Sequence, residues 1–340
     1  MNKSIVIKKD VTNEDVIKAI GPYKRILIAT SKHLHSIFTE RIDKLKKALK
    51  ADIYFVDSYG LDDAFKLCKE LLRSHIDVLV SIGGGTINDV CKLASENSRV
   101  RLVSIPTIVS NDGVCSNISV LRVDDVHTES FASKSPDVII VDVDIIKNTP
   151  AKFLAAGLGD ILSNYTSVWD WDLAVAREKE TPNDLARIMS SNAFWTLFNL
   201  PDNIEEDLKI KLICESIIMS GLAMEIKGNS RPCSGSEHLF NHAIMAYYPE
   251  INVLHGFLVA LGSLVSCIFQ NQNFEKMVGF LKKHNIDVRP STLGISKEIF
   301  IDAWMKATST RPNRYTILNE IKLNEKMLSN IYDKIEKEAY

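Results

Sequence analysis

The sequence predicts an α/β N-terminal domain with a parallel sheet, followed by an all-α helical domain. Three observations predict it. At 340 residues the chain is too long for one small core and suggests about two domains. Over the first 150 residues, short β-branched runs alternate with stretches of helical period. After Pro150 the strand signals stop and long helical patterns take over. The boundary therefore falls near residue 150, giving domains 1–150 and 151–340.

The strand runs are RILIAT (25–30), DIYFVDS (52–58), DVLVSIG (77–83), RLVSIPT (101–107) and DVIIVDVD (137–144). They are nearly continuous in apolar residues, the pattern of parallel strands covered on both faces. Stretches 36–50, 61–74 and 86–97 have helical period and supply the crossovers. Between Ser110 and Asp137 the pattern changes. NISVLR, then Asp124-Asp125, then VHTESFA read as a β-hairpin leaving the sheet. In the second half, helix breaks are expected near Thr181-Pro182-Asn183, Pro201-Asp202-Asn203, Gly228-Asn229 and Pro249. The run Val253 to Phe269 is just under spanning length and carries His255, Gly256 and two serines, so it reads as a helix buried inside the domain.

Composition excludes several classes of function. The 41 basic residues against 43 acidic ones leave a net charge of −2, which provides no long-range field for nucleic acid or an acidic membrane. The six cysteines are scattered without a C-x-x-C pair, as expected of reduced thiols in a reducing compartment. The first residues, MNKSIVIKKD, contain no apolar run of signal-peptide length. A cytoplasmic protein without nucleic-acid partners or membrane insertion is expected.

DVLVSIGGGTINDVCKLAS reads as strand, three glycines, helix. Without a Cβ, Gly83, Gly84 and Gly85 let the backbone turn sharply and approach a pyrophosphate, which the helix N-terminus then attracts. The segment is not G-x-G-x-x-G, and a tight packing turn without a ligand explains the glycines equally well. Asp89 suits the helix dipole and needs no catalytic role.

Three segments of the second half carry metal-ligand residue types. Asp160 follows a glycine pair on an otherwise apolar helix. Ser234-x-x-Glu237 reads as a capping box that starts a helix just before His238, with His242 one turn on. His255 stands at the mouth of the very apolar helix. Two imidazoles and a carboxylate suit zinc or ferrous iron and leave positions for substrate. On spacing alone the alternative, hydrogen-bonded core residues, stays open. His242 is a further ligand, a substrate contact or a core histidine. His33, His35, His75, His127 and His284 are read as solvated or structural.

Five motifs in order, GGGTINDVCK, PTIVSNDGVCSNISV, GLGDILSN, SRPCSGSEHLFNHA and LHGFLVALG, make the chain similar to the sn-glycerol-1-phosphate dehydrogenases. These belong to the superfamily of iron-containing alcohol dehydrogenases, glycerol dehydrogenases and dehydroquinate synthases. The likeness runs over about residues 20 to 270, and the SRP-x-SGSEH segment points to the glycerol-1-phosphate branch. The resemblance implies a dehydroquinate-synthase-like fold: a Rossmann-like cofactor domain, a helical domain and an active site between them. It implies Asp160, His238 and His255 as ligands of a divalent metal (zinc, with iron or nickel as alternatives). It further implies Gly83, Gly84 and Gly85 at the pyrophosphate of NAD or NADP, Thr107 and Ser110 beside the nicotinamide, and Asp112 near the substrate hydroxyl. Cys233 stands where these relatives commonly have alanine. Many NAD-preferring relatives have an acid just after the first strand. Thr30-Ser31-Lys32-His33 here would not repel a 2′-phosphate, so NADP is expected to be accepted.

The implied reaction interconverts dihydroxyacetone phosphate and sn-glycerol 1-phosphate. Arg231, near His238 in sequence, is the candidate cation for the phosphate, and a salt bridge tying down its loop is the competing role. Two rival activities are a glycerol dehydrogenase acting on unphosphorylated polyols and a dehydroquinate-synthase-like lyase. Asp rather than Glu followed by lysine at the first ligand position argues against the lyase. Relatives are usually homo-oligomers, and the same is expected here, with a small molecule as substrate.

Overall fold

Six short runs rich in Val and Ile build one parallel sheet, and the helices between them close both its faces. The computed structural model describes residues 3–57, 60–124 and 128–339. By contact the chain groups into two compact units. The first comprises 1–109, 113–150 and 204–221, the second 110–112, 151–203 and 222–340.

In the first unit the chain runs β1 (Ser4–Lys8), α1 (Asn13–Ile20), β2 (Ile26–Thr30), α2 (Lys32–Ile37), α3 (Thr39–Leu49), β3 (Asp52–Phe55) and α4 (Leu61–Arg73). It continues with β4 (Val78–Gly83), α5 (Gly85–Ser98), β5 (Arg101–Pro106), β6 (Ile118–Arg122), β7 (Thr128–Ala132), β8 (Val138–Asp142) and α6 (Val143–Lys147). The sheet order is β1-β8-β5-β4-β2-β3, and β6 pairs with β7 as a separate antiparallel hairpin. The register aligns Ile28 with Val80 and Val80 with Val103, and these side chains meet Val16, Ile20, Ile42 and Leu45 of α1 and α3. The neighbouring row, Leu27, Leu79 and Leu102, points to the other face against Leu67, Leu71, Val90 and Cys91 of α4 and α5. Period-two alternation thus feeds two cores from strands with no polar face.

The second unit is helical: α7 (Ala151–Leu162), α8 (Asn164–Ala176), α9 (Asp184–Phe198), α10 (Glu206–Lys227), α11 (Ser236–Tyr247), α12 (His255–Phe269), α13 (Phe274–Lys283), α14 (Lys297–Thr310) and α15 (Glu325–Glu338). Residues 206–221 of α10 group with the first unit. α11 and α14 share an aromatic core in which Phe240 stacks on Trp304 at 4.9 Å between centroids. Among the described residues no helix is long and apolar enough to cross a membrane.

The strands and hairpin expected from the sequence are present, as are the helix breaks after Ala176, Phe198, Lys227 and Tyr247. Three points differ. β1 was not expected: it is a sheet edge, exposed at Ser4 and Ile5, and so lacks the apolar run of its neighbours. The stretch 36–50 is two helices, because Phe38 leaves helical geometry at φ −112° and ψ 30°. Ser234 and Glu237 form no capping box. Gly235 is the N-cap of α11, and the Glu237 carboxylate turns inward to accept the Gly235 N–H. The hairpin tip with Asp125 and His127 lies outside the described residues.

Candidate metal centre

Two glycines set the close packing that positions the centre. A Cβ on Gly256 would lie 1.8 Å from the Ala156 carbonyl oxygen of α7, and one on Gly159 would lie 2.4 Å from the Gly256 carbonyl oxygen. Only glycine lets these backbones approach so closely. The contact brings His255, the first residue of α12, to Asp160 near the end of α7. His255 Nε2 stands 3.4 Å from Asp160 Oδ1, and His238 Nε2 of α11 stands 4.0 Å from the same oxygen. One donor atom from each of Asp160, His238 and His255 lies within 4.8 Å of the other two. Two imidazole nitrogens and one carboxylate oxygen at that spacing fit a single divalent d-block ion with open positions.

The surroundings orient these three side chains. Glu237, fully buried, stands 2.9 Å from His238 Nδ1 and also accepts from Thr166. Its carboxylate takes the Nδ1–H, which leaves the Nε2 lone pair directed at the centre. Burial and then the neighbouring His255 hold His238 down at about 3, so its imidazole is neutral. Burial pushes the Asp160 carboxyl up, but the His255 hydrogen bond and then the His255 charge outweigh it, and the net shift is downward. His255 is lowered by burial yet raised more by Asp160, for a net upward shift. The second oxygen of Asp160 accepts the Asp112 backbone N–H at 2.9 Å. Asp112 is half-buried, and its charge acts on His255. His242 lies 6.5 Å from His238 between ring centroids, and burial followed by the charge of Arg311 pushes it well below its usual value.

Arg231 occupies a 3-10 turn, Arg231–Cys233, and is 3% exposed. Its Nε faces Glu180 at 3.4 Å, the ion pair expected of a loop tether, while its buried Nη1 has no partner. Sequence reasoning missed Glu237 as the partner of His238, since it read that residue as a cap. It also missed Arg311 and Arg314, whose charges act on both His238 and His242. No local motif marks either arginine.

The glycine turn stands in the first unit. A Cβ on Gly83 would meet the Ile87 Cβ at 2.7 Å, so this glycine serves the strand-to-helix packing. Gly84 has its nearest neighbour at 3.6 Å and Gly85 has none within 4 Å, leaving the backbone at the start of α5 open to a ligand. No side chain caps that N-terminus. Asn88 ties the turn together, donating to the Gly83 carbonyl oxygen at 3.2 Å and accepting from Ser81 and Ser104. The hydroxyls of Thr30 and Thr107, at the ends of β2 and β5, are buried without hydrogen-bond partners. Thr107 also borders a cavity of about 30 Å³ beside α1 and α3. Ser110 is half-buried and groups with the second unit. Asp89 pairs with Lys92 at 2.7 Å and accepts the Val120 N–H, a structural clamp on the hairpin. Ser31 caps α2, and the exposed Lys32 faces Asp57 at 3.7 Å.

Comparison with known proteins gives a consistent family. The profile described as iron-containing alcohol dehydrogenase matches residues 8–150. The chain is 34% identical over 297 residues to the glycerol-1-phosphate dehydrogenase, NAD(P)+, of Saccharolobus islandicus strain L.S.2.15, covering 87% of this chain and 84% of that one. Against the enzyme of that name from Nitrosopumilus maritimus the identity is 32% over 336 residues, covering 97% and 94%. In fold the chain is similar to glycerol dehydrogenase from Schizosaccharomyces pombe (TM-score 0.80, 20% identity, covering 99% and 89%). It is likewise similar to a probable glycerol dehydrogenase from Sinorhizobium meliloti 1021 (TM-score 0.77, 21% identity, covering 99% and 97%).

Proposed function

Because the chain belongs to the glycerol-1-phosphate dehydrogenase family, we propose that it interconverts dihydroxyacetone phosphate and sn-glycerol 1-phosphate with NAD or NADP. The observation that carries this reading is the trio Asp160, His238 and His255, whose donor atoms lie close enough to share one ion. A divalent ion held there, zinc by preference, supplies Lewis acidity at the substrate oxygen, and the nicotinamide carries the hydride.

This chain's own residues do the rest. Glu237 fixes the His238 tautomer, and the Asp112 N–H holds one Asp160 oxygen so that the other faces the histidines. The Asp112 carboxylate is the proton acceptor or donor for the substrate hydroxyl, through solvent. His242, kept neutral by burial and Arg311, lines the substrate side. In the first unit the open backbone at Gly84 and Gly85 receives the pyrophosphate at the start of α5, with the Thr107 hydroxyl as a further donor. Lys32 and Asp57 place one cation and one anion at the neighbouring strand ends, which supports use of both dinucleotides. Six free cysteines, five of them buried, agree with a reducing cytoplasm, and a homo-oligomer is proposed by analogy with the family.

The test is an initial-rate comparison of dihydroxyacetone phosphate with dihydroxyacetone, using NADH and NADPH in turn. It is run before chelation, after it, and after zinc is restored. Preference for the phosphate ester is expected, with activity lost on chelation and regained with the metal. Full activity without metal would remove the central claim. Preference for dihydroxyacetone would transfer the chain to the glycerol dehydrogenase reading, which the shared fold also supports.

A further inference from the structure

Along one helix face, four polar residues are buried where a core stripe would ordinarily be apolar. Ser163, Thr166, Ser167 and Asp170 follow i, i+3, i+4, i+7 spacing, and none is more than 1% exposed. Ser163 is the single residue between α7 and α8, and it keeps helical geometry at φ −62° and ψ −26°. The stripe therefore begins three residues after Asp160. There the Ser163 hydroxyl donates to the Asp160 carbonyl oxygen at 2.7 Å.

Every member of the stripe also reaches the segment 232–237, which leads into α11. The Ser163 hydroxyl donates to the Cys233 carbonyl oxygen at 3.3 Å, and Ser167 donates to that of Pro232 at 3.0 Å. Thr166 donates at 2.9 Å to Glu237, the residue behind His238. Asp170 accepts both the Ser236 N–H and the Ser236 hydroxyl, each at 2.7 Å. No side chain of the adjoining sequence caps α11, so its first N–H is satisfied from α8. A carboxylate there also suits the positive end of the helix dipole. A Cβ on Gly235 would lie 2.6 Å from the same Asp170 oxygen, so the glycine makes room for it. Burial, then the charge of Glu237, pushes the Asp170 carboxyl up to about 6, which leaves it ionised at neutral pH. Its other oxygen accepts the Ile317 N–H at 2.7 Å. Three residues before Ile317, Arg314 donates to the Ser234 carbonyl oxygen at 2.6 Å and to the Ser230 hydroxyl at 2.8 Å. The segment after α14 is thus fastened to the same loop and the same carboxylate.

An apolar stripe could bury similar surface but would tolerate sliding, whereas hydrogen bonds to particular backbone atoms select one register. Register matters here because His238 is the third residue of α11. A slip of one residue at the helix start would turn it by about 100° around the axis. We propose that the stripe from Ser163 to Asp170 is a template that sets the separation of Asp160 and His238, with Asp170 as its principal positioning residue. It holds the start of α11 in the register that turns His238 Nε2 towards Asp160. The inference rests on the metal-centre reading above and requires no particular substrate.

The experiment uses the full-length enzyme loaded with zinc, or with cobalt(II) in its place, as wild type and as Asp170→Asn. The amide keeps one acceptor oxygen and sets an NH2 group against a donor. Zinc affinity is measured by competition with a chromophoric chelator, ligand geometry by the cobalt d–d bands, and stability by the denaturant midpoint. Leu328→Ala, a buried truncation on α15, is the control for lost stability alone. Asp170→Asn is expected to weaken zinc binding by roughly 10-fold and to shift the cobalt bands. Leu328→Ala should lower the midpoint and leave both of those readings at wild type. Wild-type zinc affinity with unshifted bands in Asp170→Asn overturns the template, whatever the midpoint. Where Asp170→Asn fails to fold, Ser163→Ala/Ser167→Ala removes two bonds of the stripe without touching its charge. Unshifted bands in that variant again overturn the template. A wild type that holds neither zinc nor cobalt at the trio overturns the template and the metal-centre reading together. Shifted bands in an enzyme that reduces dihydroxyacetone but not its phosphate support the template while overturning the substrate assignment.

Discussion

Glu237 shows how far one residue can depart from its local pattern. Ser234-x-x-Glu237 has the spacing of a reciprocal cap, as does Thr12-x-x-Asp15 at α1, where the box does form with the Thr12 hydroxyl 3.3 Å from the Asp15 N–H. At α11 the same spacing fails because the acid is fully buried and taken by His238 and Thr166. Replacing Glu237 with Gln keeps an acceptor but removes the charge behind the imidazole. It should weaken metal affinity by roughly 10-fold, the lower end of the range for such partners, measured by competition with a chromophoric chelator. Unchanged affinity would show that the carboxylate is there for packing alone. The ligand types Asp160, His238 and His255 were legible because each interrupts an apolar or glycine-rich helix. Arg311 and Arg314 were not, because arginines near a chain's far end carry no period or spacing. Their neighbours Ser230, Ser234 and His242 are known only after folding.

At the scale of elements, the contact between α7 and α12 governs whether His255 reaches Asp160. The sequence displays Gly159 and Gly256 but not that each exists for the other. Gly256→Ala would place a methyl 1.8 Å from the Ala156 carbonyl oxygen and force the helices apart. The expected cost is about 1–3 kcal/mol of stability, measured from the denaturant midpoint, with bound metal falling in parallel. A variant with the wild-type midpoint and full metal content would show that the helices separate freely. The buried strands were readable because both faces are covered, so their apolar runs are continuous. β1 escaped notice since an edge strand needs no such run, and the break at Phe38 lies in a backbone angle that no composition rule encodes.

For the molecule as a whole, the notable feature is that the first unit is discontinuous. Residues 204–221 belong to it and bury Ile210, Ile213, Cys214, Ile217 and Ile218. Asp207 in this segment pairs with Lys9 and Lys147, and the hydrogen bond from Lys147, then that from Lys9, holds its carboxyl at about 2 against an ordinary 3.8. A depressed carboxyl contributes stability above its ordinary value and loses it as pH falls towards the folded one. Asp207→Asn should therefore flatten the acid limb of the unfolding curve between pH 3.8 and about 2. An identical limb in wild type and variant would show that the pairs are idle. A fragment ending at residue 150 lacks the returning segment. It should bind a hydrophobic dye and unfold without a cooperative transition, followed by fluorescence and near-ultraviolet circular dichroism. A sharp transition in that fragment would show that 204–221 is dispensable.

This discontinuity sets an order of events at the ribosome. The sheet strands all emerge early, yet their unit lacks the returning segment until residue 221 has left the tunnel. At roughly 5–20 residues per second, several seconds of synthesis separate residue 150 from that point. During that interval the first unit is incomplete, and holdase chaperones compete with self-association for it. The nascent chain's most vulnerable moment is thus fixed by where α10 lies in the gene.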